Sequence, residues 1–278
     1  EALGAFPRGT LIQGTDGALY GTTNGGGATN AGVVFRLDLN PNRLLNISTR
    51  VDVQTGDNVL IGGFIITGTQ PKKVIGRAIG PSLGKLGVAG ALADTVLELH
   101  EPDGTVITND NWKDTQEAEI VATNLAPSND LESAILATLD PGAYTAVVSG
   151  KNSSTGIALV EAYDLDQTVD SQLANISTRG LVETGDNVMI GGFILGGDTA
   201  TVALRAIGPS LTDSGVVRAL ADPFLELHNS DGDIVDSNDN WMNSPRNQTF
   251  IADNQAPTNN QESIALGNLA QDAHTPSE

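Results

Sequence analysis

The chain has 278 residues, room for about two domains, and its 34 acidic and 14 basic residues leave a net charge of −20. That balance excludes nucleic acid and anionic membrane as natural partners, and the absence of cysteine excludes disulfides and thiolate chemistry. With 32 glycines, two methionines and no apolar run of the ~18 residues a spanning helix requires, short strands and turns are expected and membrane insertion is not.

The chain opens at Glu1 without a hydrophobic leader, which reads as the processed start of an exported protein. The first segment, "LIQGTDGALYGTTNGGGATNAGVVFRL", reads as strands around a glycine-rich loop. "GGGATN" follows a strand but opens no helix and lacks the lysine of a phosphate-binding loop, so nucleotide binding is not expected.

From "NISTR" onward the chain repeats itself. "NISTR" recurs at 46–50 and 175–179, "TGDNV" at 55–59 and 184–188, and "RAIGPSL" at 77–83 and 205–211. "LELH" (97–100, 225–228) and "NDNW" (109–112, 238–241) follow in the same order. A constant spacing across so many motifs means two homologous modules. Within each, "NVLIGGFIIT", "KKVIGRAIG" and "TVLELHE" are short apolar or alternating runs punctuated by Gly, Pro, Asn and Asp. "DTQEAEIVATNLAP" reads as a short helix or an irregular crossover. The expected fold is all-β: two tandem antiparallel β-sandwich, jelly-roll-like modules with an N-terminal donor hairpin. The expected divisions are 1–43 for the hairpin, 44–166 for module 1, and 173–278 for module 2 lacking its final two strands.

Several residues could carry chemistry. Asp103 and Asp110 in the first module, and Asp231, Asp233 and Asp239 in the second, put oxygen ligands on loops; they are either calcium ligands or Asx-turn formers. Trp112 and Trp241, the only tryptophans, occupy equivalent places and either stack on a ligand such as a sugar or close one end of the core. Arg77 and Arg205 beside "GPS" are expected to satisfy loop carbonyls or an acidic partner. Three histidines with no metal-ligand spacing and no nucleophile elbow leave no catalytic constellation, so no enzyme activity is expected.

The "NISTR…TGDNV…GGFI…RAIGPSL…LELH…NDNW" series, covering nearly all of residues 44–270, resembles modules of tandem-repeat secreted bacterial proteins. More distantly, it is similar to pre-peptidase C-terminal β-sandwich domains. The N-terminal segment resembles a glycine-rich tandem repeat of secreted bacterial proteins. These resemblances imply an extracellular or cell-surface location and an accessory, non-catalytic role.

"LESAILATLDPGAYTAVVSGKNSSTGIALVEAYDL" in module 1 continues through two strand-like runs, whereas its counterpart "QESIALGNLAQDAHTPSE" turns polar. "GALYGTTNGGGATNAGVVFRLDL" (17–39) matches the missing stretch in architecture. The resulting expectation is a homopolymer of identical subunits joined head to tail, each N-terminal hairpin completing the next copy's second module. The donor residues are Leu11, Leu19, Tyr20, Val33, Phe35, Leu37 and Leu39, and the acceptors Ile264, Leu266 and Leu269. The alternative is a monomeric surface adhesin or glycan-binding accessory module.

Overall fold

The computed structural model describes residues 4–7, 10–14, 19–26, 30–37, 43–197, 199–270 and 273–276. The fold is all-β and antiparallel throughout its sheets. Strands β1 (Gly4–Pro7), β2 (Ile12–Gln13), β3 (Leu19–Gly26) and β4 (Val34–Leu37) form a small sheet of their own, with β3 paired to the other three. A Cβ on Gly21 would lie 2.5 Å from the Phe35 ring and 2.7 Å from the Leu11 side chain, so these groups close over bare backbone.

The first module supplies β5 (Arg43–Val53), β6 (Leu60–Thr67), β7 (Lys72–Ile79), β8 (Thr95–His100), β9 (Val106–Asn109), β10 (Ser133–Leu139), β11 (Gly142–Gly150) and β12 (Gly156–Asp164). It also carries the short helices α1 (Pro81–Lys85) and α2 (Glu117–Ala122). The second supplies β13 (Gln172–Arg179), β14 (Ile190–Gly196), β15 (Ala200–Ala206), β16 (Leu225–His228), β17 (Ile234–Asn238), β18 (Ser263–Leu269) and β19 (Ala273–Pro276), with α3 (Asn247–Ala252).

The modules are not separate beads. β5 of the first pairs with β14 of the second, and β13 of the second pairs with β6 of the first. The registers are reciprocal: Arg50 faces Ile190, and its repeat counterpart Arg179 faces Ile61. Each module has therefore handed its opening strand to the other, as in a strand-exchanged dimer with approximate two-fold symmetry. Thirteen strands form one sheet whose two arms, β10-β7-β12-β5-β14-β19-β16-β17 and β9-β8-β11-β6-β13, join where Leu44 of β5 pairs with Leu173 of β13; β15 and β18 pair with each other. The sheets run across the expected 44–166 and 173–278 divisions.

The core lies between these layers. Ala158, Val160 and Ala162 of β12 join Val74, Leu97, Ile135 and Val148 inside, while Ile157, Leu159 and Tyr163 point to outer-face clusters. That is the period-two alternation of a strand buried on both faces. In "RAIGPSL" a Cβ on Gly80 would meet the Leu92 carbonyl at 2.4 Å, and one on Gly208 the Leu220 carbonyl at 2.2 Å. Both repeats thus keep glycine where two backbones touch.

Two expectations are corrected here. β11 and β12 do not pair with each other: β11 lies between β6 and β8, and β12 between β5 and β7. They form an arch from one layer to the other through residues 151–155, not a hairpin, so the N-terminal β3–β4 hairpin is not their geometric counterpart. Second, the tail of module 2 is a strand. Ala273 pairs with Ile194 as Ala143 pairs with Ile65, so β19 is the start of the penultimate strand. The polar stretch hides this because its extended form is imposed by β14 and β16 on either side.

Candidate functional site

The feature that distinguishes the second module from the first is a pair of open strand edges. In module 1, β12 pairs with β5 along one side and β7 along the other. The counterparts of those strands, β13 and β15, share no such partner among the described residues: β15 pairs with β18, and β13 with β6 and a single position of β5. Burial follows this difference. Asn46 of β5 is buried and donates Nδ2 to the Ala162 carbonyl of β12 at 3.3 Å, whereas its counterpart Asn175 is exposed. Ile75 of β7 is fully buried, and its counterpart Ala203 is exposed.

The polar contacts of β12 define what such a seat demands. Arg77 donates Nε to Glu161 Oε2 at 3.0 Å, a second bond to the same oxygen through Nη2, and Nη1 to the Leu125 carbonyl at 2.7 Å. Tyr163 donates its hydroxyl to Glu161 Oε1 at 2.9 Å. Burial and the adjacent Glu161 carboxylate push the Tyr163 phenol up to about 12, with Arg77 pulling the other way. Arg205, the counterpart of Arg77, is exposed, and its guanidinium has no partner among the described residues. Arg179 on the facing strand is likewise exposed and unpartnered among them.

The residues expected to be polymer acceptors lie elsewhere. Ile264 is buried against Trp241 and Phe250, with Leu266 packed on that same outer cluster, and Leu269 is buried with Phe193, Leu195 and Leu227. They sit on β18, whose counterpart β10 is also an edge strand, whereas the edges that lack a partner among the described residues where module 1 has one are those of β13 and β15. Of the expected donors, Leu19, Tyr20, Val33 and Phe35 are half-buried and Leu11 is exposed, all in the N-terminal sheet region; Leu37 ends β4, and Leu39 lies outside the described residues. Sequence comparison aligned the repeats end to end and could not show which strands flank a seat; the Arg77/Arg205 pair was the signal for it.

The five candidate aspartates do not converge. Asp103 Oδ1 accepts the Thr105 amide at 2.8 Å, an Asx turn that also lowers its pKa. Asp110 pairs with Lys151. The amides of Asp231 and Asp233 donate to Asn229 Oδ1, and Asp239 accepts from Asn240. Among the described residues no group of three or more His, Asp or Glu side chains is placed to hold a metal ion. Asp94, which the sequence did not single out, lies beside Asp110; burial first, then the Asp110 charge, raises its pKa against the pull of Lys151.

Trp112 and Trp241 are 5% and 6% exposed, and their indole N–H groups donate to the Asn129 and Asn259 carbonyls at 3.1 and 3.0 Å. Neither ring is open to stack on a ligand. Nearby stand two fully buried carboxylates that sequence reading passed over. Glu132 accepts the amides of Gly80, Ser82 and Asn129, and Glu262 those of Gly208, Ser210 and Asn259. The shared "ES" dipeptide at 132–133 and 262–263 was the available clue.

Comparison with protein-family models, curated proteins and solved structures finds no match to this chain.

Proposed function

We propose that the protein is a structural subunit of an extracellular filament, joined head to tail by a strand that one subunit donates to the second module of the next. The observation that carries this reading is the pair of open edges on β13 and β15, where the first module seats β12. Two unpaired edges flanking a half-built core are a template for an added strand, with main-chain bonds on both sides and side chains reaching inward. Each inserted apolar side chain contributes about 1.5–3 kcal/mol before ordering costs. The edges call for one strand rather than a hairpin. The N-terminal segment is the candidate donor: with Phe35, Leu37 and Leu39 as its inward residues the acid between the last two is Asp38, and donating it means releasing β4 from β3.

Joining unlike surfaces in this way gives an open, propagating contact rather than a closed dimer. Nothing in the geometry favours the glycan-binding alternative, because both tryptophans are enclosed. The test is electron microscopy of the full chain and of a variant lacking residues 1–40. Filaments from the first and none from the second are expected; filaments that persist without residues 1–40 reject this donor, and no filaments from either rejects the reading.

A further inference from the structure

We infer that the seat between β13 and β15 selects an incoming strand by charge: it takes an extended segment, apolar at alternate positions, whose central outward residue is a carboxylate meeting Arg205. The inference rests on the reading above, that a strand from outside residues 43–276 completes the second module, and adds the chemistry by which that strand is chosen.

The template is β12 itself. Its inward residues are Ala158, Val160 and Ala162, and its outward residue opposite Arg77 is Glu161. Arg205 occupies the same register position on β15: it faces Ile264 of β18 as Arg77 faces Ala134 of β10. In the first module the guanidinium is nearly enclosed and held by Glu161, with side chains 15% and 9% exposed. In the second it stands open. A strand laid along β15 covers it and leaves an unpaired cation unless that strand brings an anion. Covering a charge without a partner is strongly unfavourable, while a charge-assisted, two-pronged bond is among the stronger hydrogen bonds.

The lower end of the seat differs from the template. Lys72 of β7 faces Leu139 of β10 and holds Asp164 at 3.0 Å, but the residue facing Leu269 on β15 is Ala200. An acid at the Asp164 position therefore gains no lysine here. The selected strand carries its carboxylate opposite Arg205 and an uncharged residue three positions later. Arg179 on the other edge adds positive potential to the same seat, in a chain whose net charge is −20.

The probe is a synthetic peptide of residues 156–165, GIALVEAYDL, titrated calorimetrically into the full chain, with amide exchange read on β13 and β15. Saturable binding that protects both strands is expected. Glu161→Gln in the peptide should weaken it by about tenfold or more, and Asp164→Val should bind at least as tightly as the parent. An Arg205→Glu protein should lose the parent peptide and regain binding to the Glu161→Arg peptide. Arg205 is exposed, so that variant keeps its fold, and the peptide variants leave the protein untouched. Absence of binding, protection elsewhere, or equal affinity for the Glu161→Gln peptide overturns the inference. Peptide binding with the predicted charge dependence, alongside filaments that ignore deletion of residues 1–40, keeps it and rejects only the N-terminal donor.

Discussion

Thr49 and Thr178, the same position in the two repeats, meet hydroxyl to hydroxyl with Oγ1 atoms 2.8 Å apart. Leu44 and Leu173, another equivalent pair, face each other where β5 passes β13. Equivalent residues touch one another only along a two-fold relation, so the two modules close on each other by exchanging their first strands. A further copy could not enter at that contact. Growth of the proposed filament would have to use a different surface, such as the edges of β13 and β15 that have no partner among the described residues.

This closure predicts how a lone module behaves. Residues 44–166 expressed alone lose β13 and β14, leaving one edge of β6 and one edge of β5 bare. Two copies can satisfy each other by the same exchange, β5 of one on β6 of the other. Light scattering is expected to give a dimer. A stable monomer would mean that β5 can fold back on its own β6, and that the exchange is a product of the tandem arrangement.

Lys72 and Asp164 form a fully enclosed ion pair at 3.0 Å, and Lys72 also donates to the Asp166 carbonyl at 2.6 Å. Burial raises the Asp164 pKa, with the Lys72 hydrogen bond opposing it. A carboxyl whose folded pKa is raised favours folding most in its protonated form. Its contribution is complete below its unfolded value, ~3.9, and falls as pH rises through the higher folded value. Removing one partner, as in Lys72→Met, should cost about 3–5 kcal/mol at pH 7. Replacing both, Lys72→Met with Asp164→Leu, should recover most of that loss. Denaturant unfolding of the two variants decides it: equal losses would show that the pair is a net stabiliser.

Trp112→Ala and Trp241→Ala should each destabilise by about 3–5 kcal/mol through cavity formation and the loss of the indole bond to a loop carbonyl. The effect should appear in thermal unfolding without any sugar present. A variant with wild-type stability but a lost carbohydrate affinity would reverse the assignment.

Chelation should leave the melting curve unchanged, because the Asp103, Asp110 and Asp239 carboxylates are held by Thr105, Lys151 and Asn240, and the candidate aspartates do not converge with a third carboxylate or imidazole among the described residues. An ion bound tightly to the native state must raise apparent stability, so a clear fall in Tm with chelator would reveal one. Asp94 and Asp110 would then be the residues to replace, since the carboxylate oxygens Asp94 Oδ1 and Asp110 Oδ1 are enclosed without a partner.

Much of this architecture was legible in residue order alone. The paired motifs "NISTR", "RAIGPSL" and "NDNW" establish two modules, and the alternation in "TVLELH" establishes strands, because strand periodicity and turn chemistry are local properties. The expectation for Arg77 also followed from residue type: a guanidinium beside a tight turn seeks carbonyls and acids, and it finds Leu125 and Glu161. What only the tertiary structure decided is which strand lies beside which. The partner of β5 is β14, about 140 residues away by register of Arg50 and Ile190, and no local preference encodes that choice. The arch between β11 and β12, the strand character of "AHTP", and the open edges beside Arg205 all depend on it. Backbone pairing between distant segments is set by how the whole apolar core closes. A strand's neighbours, unlike its periodicity, are a property of the assembled layers.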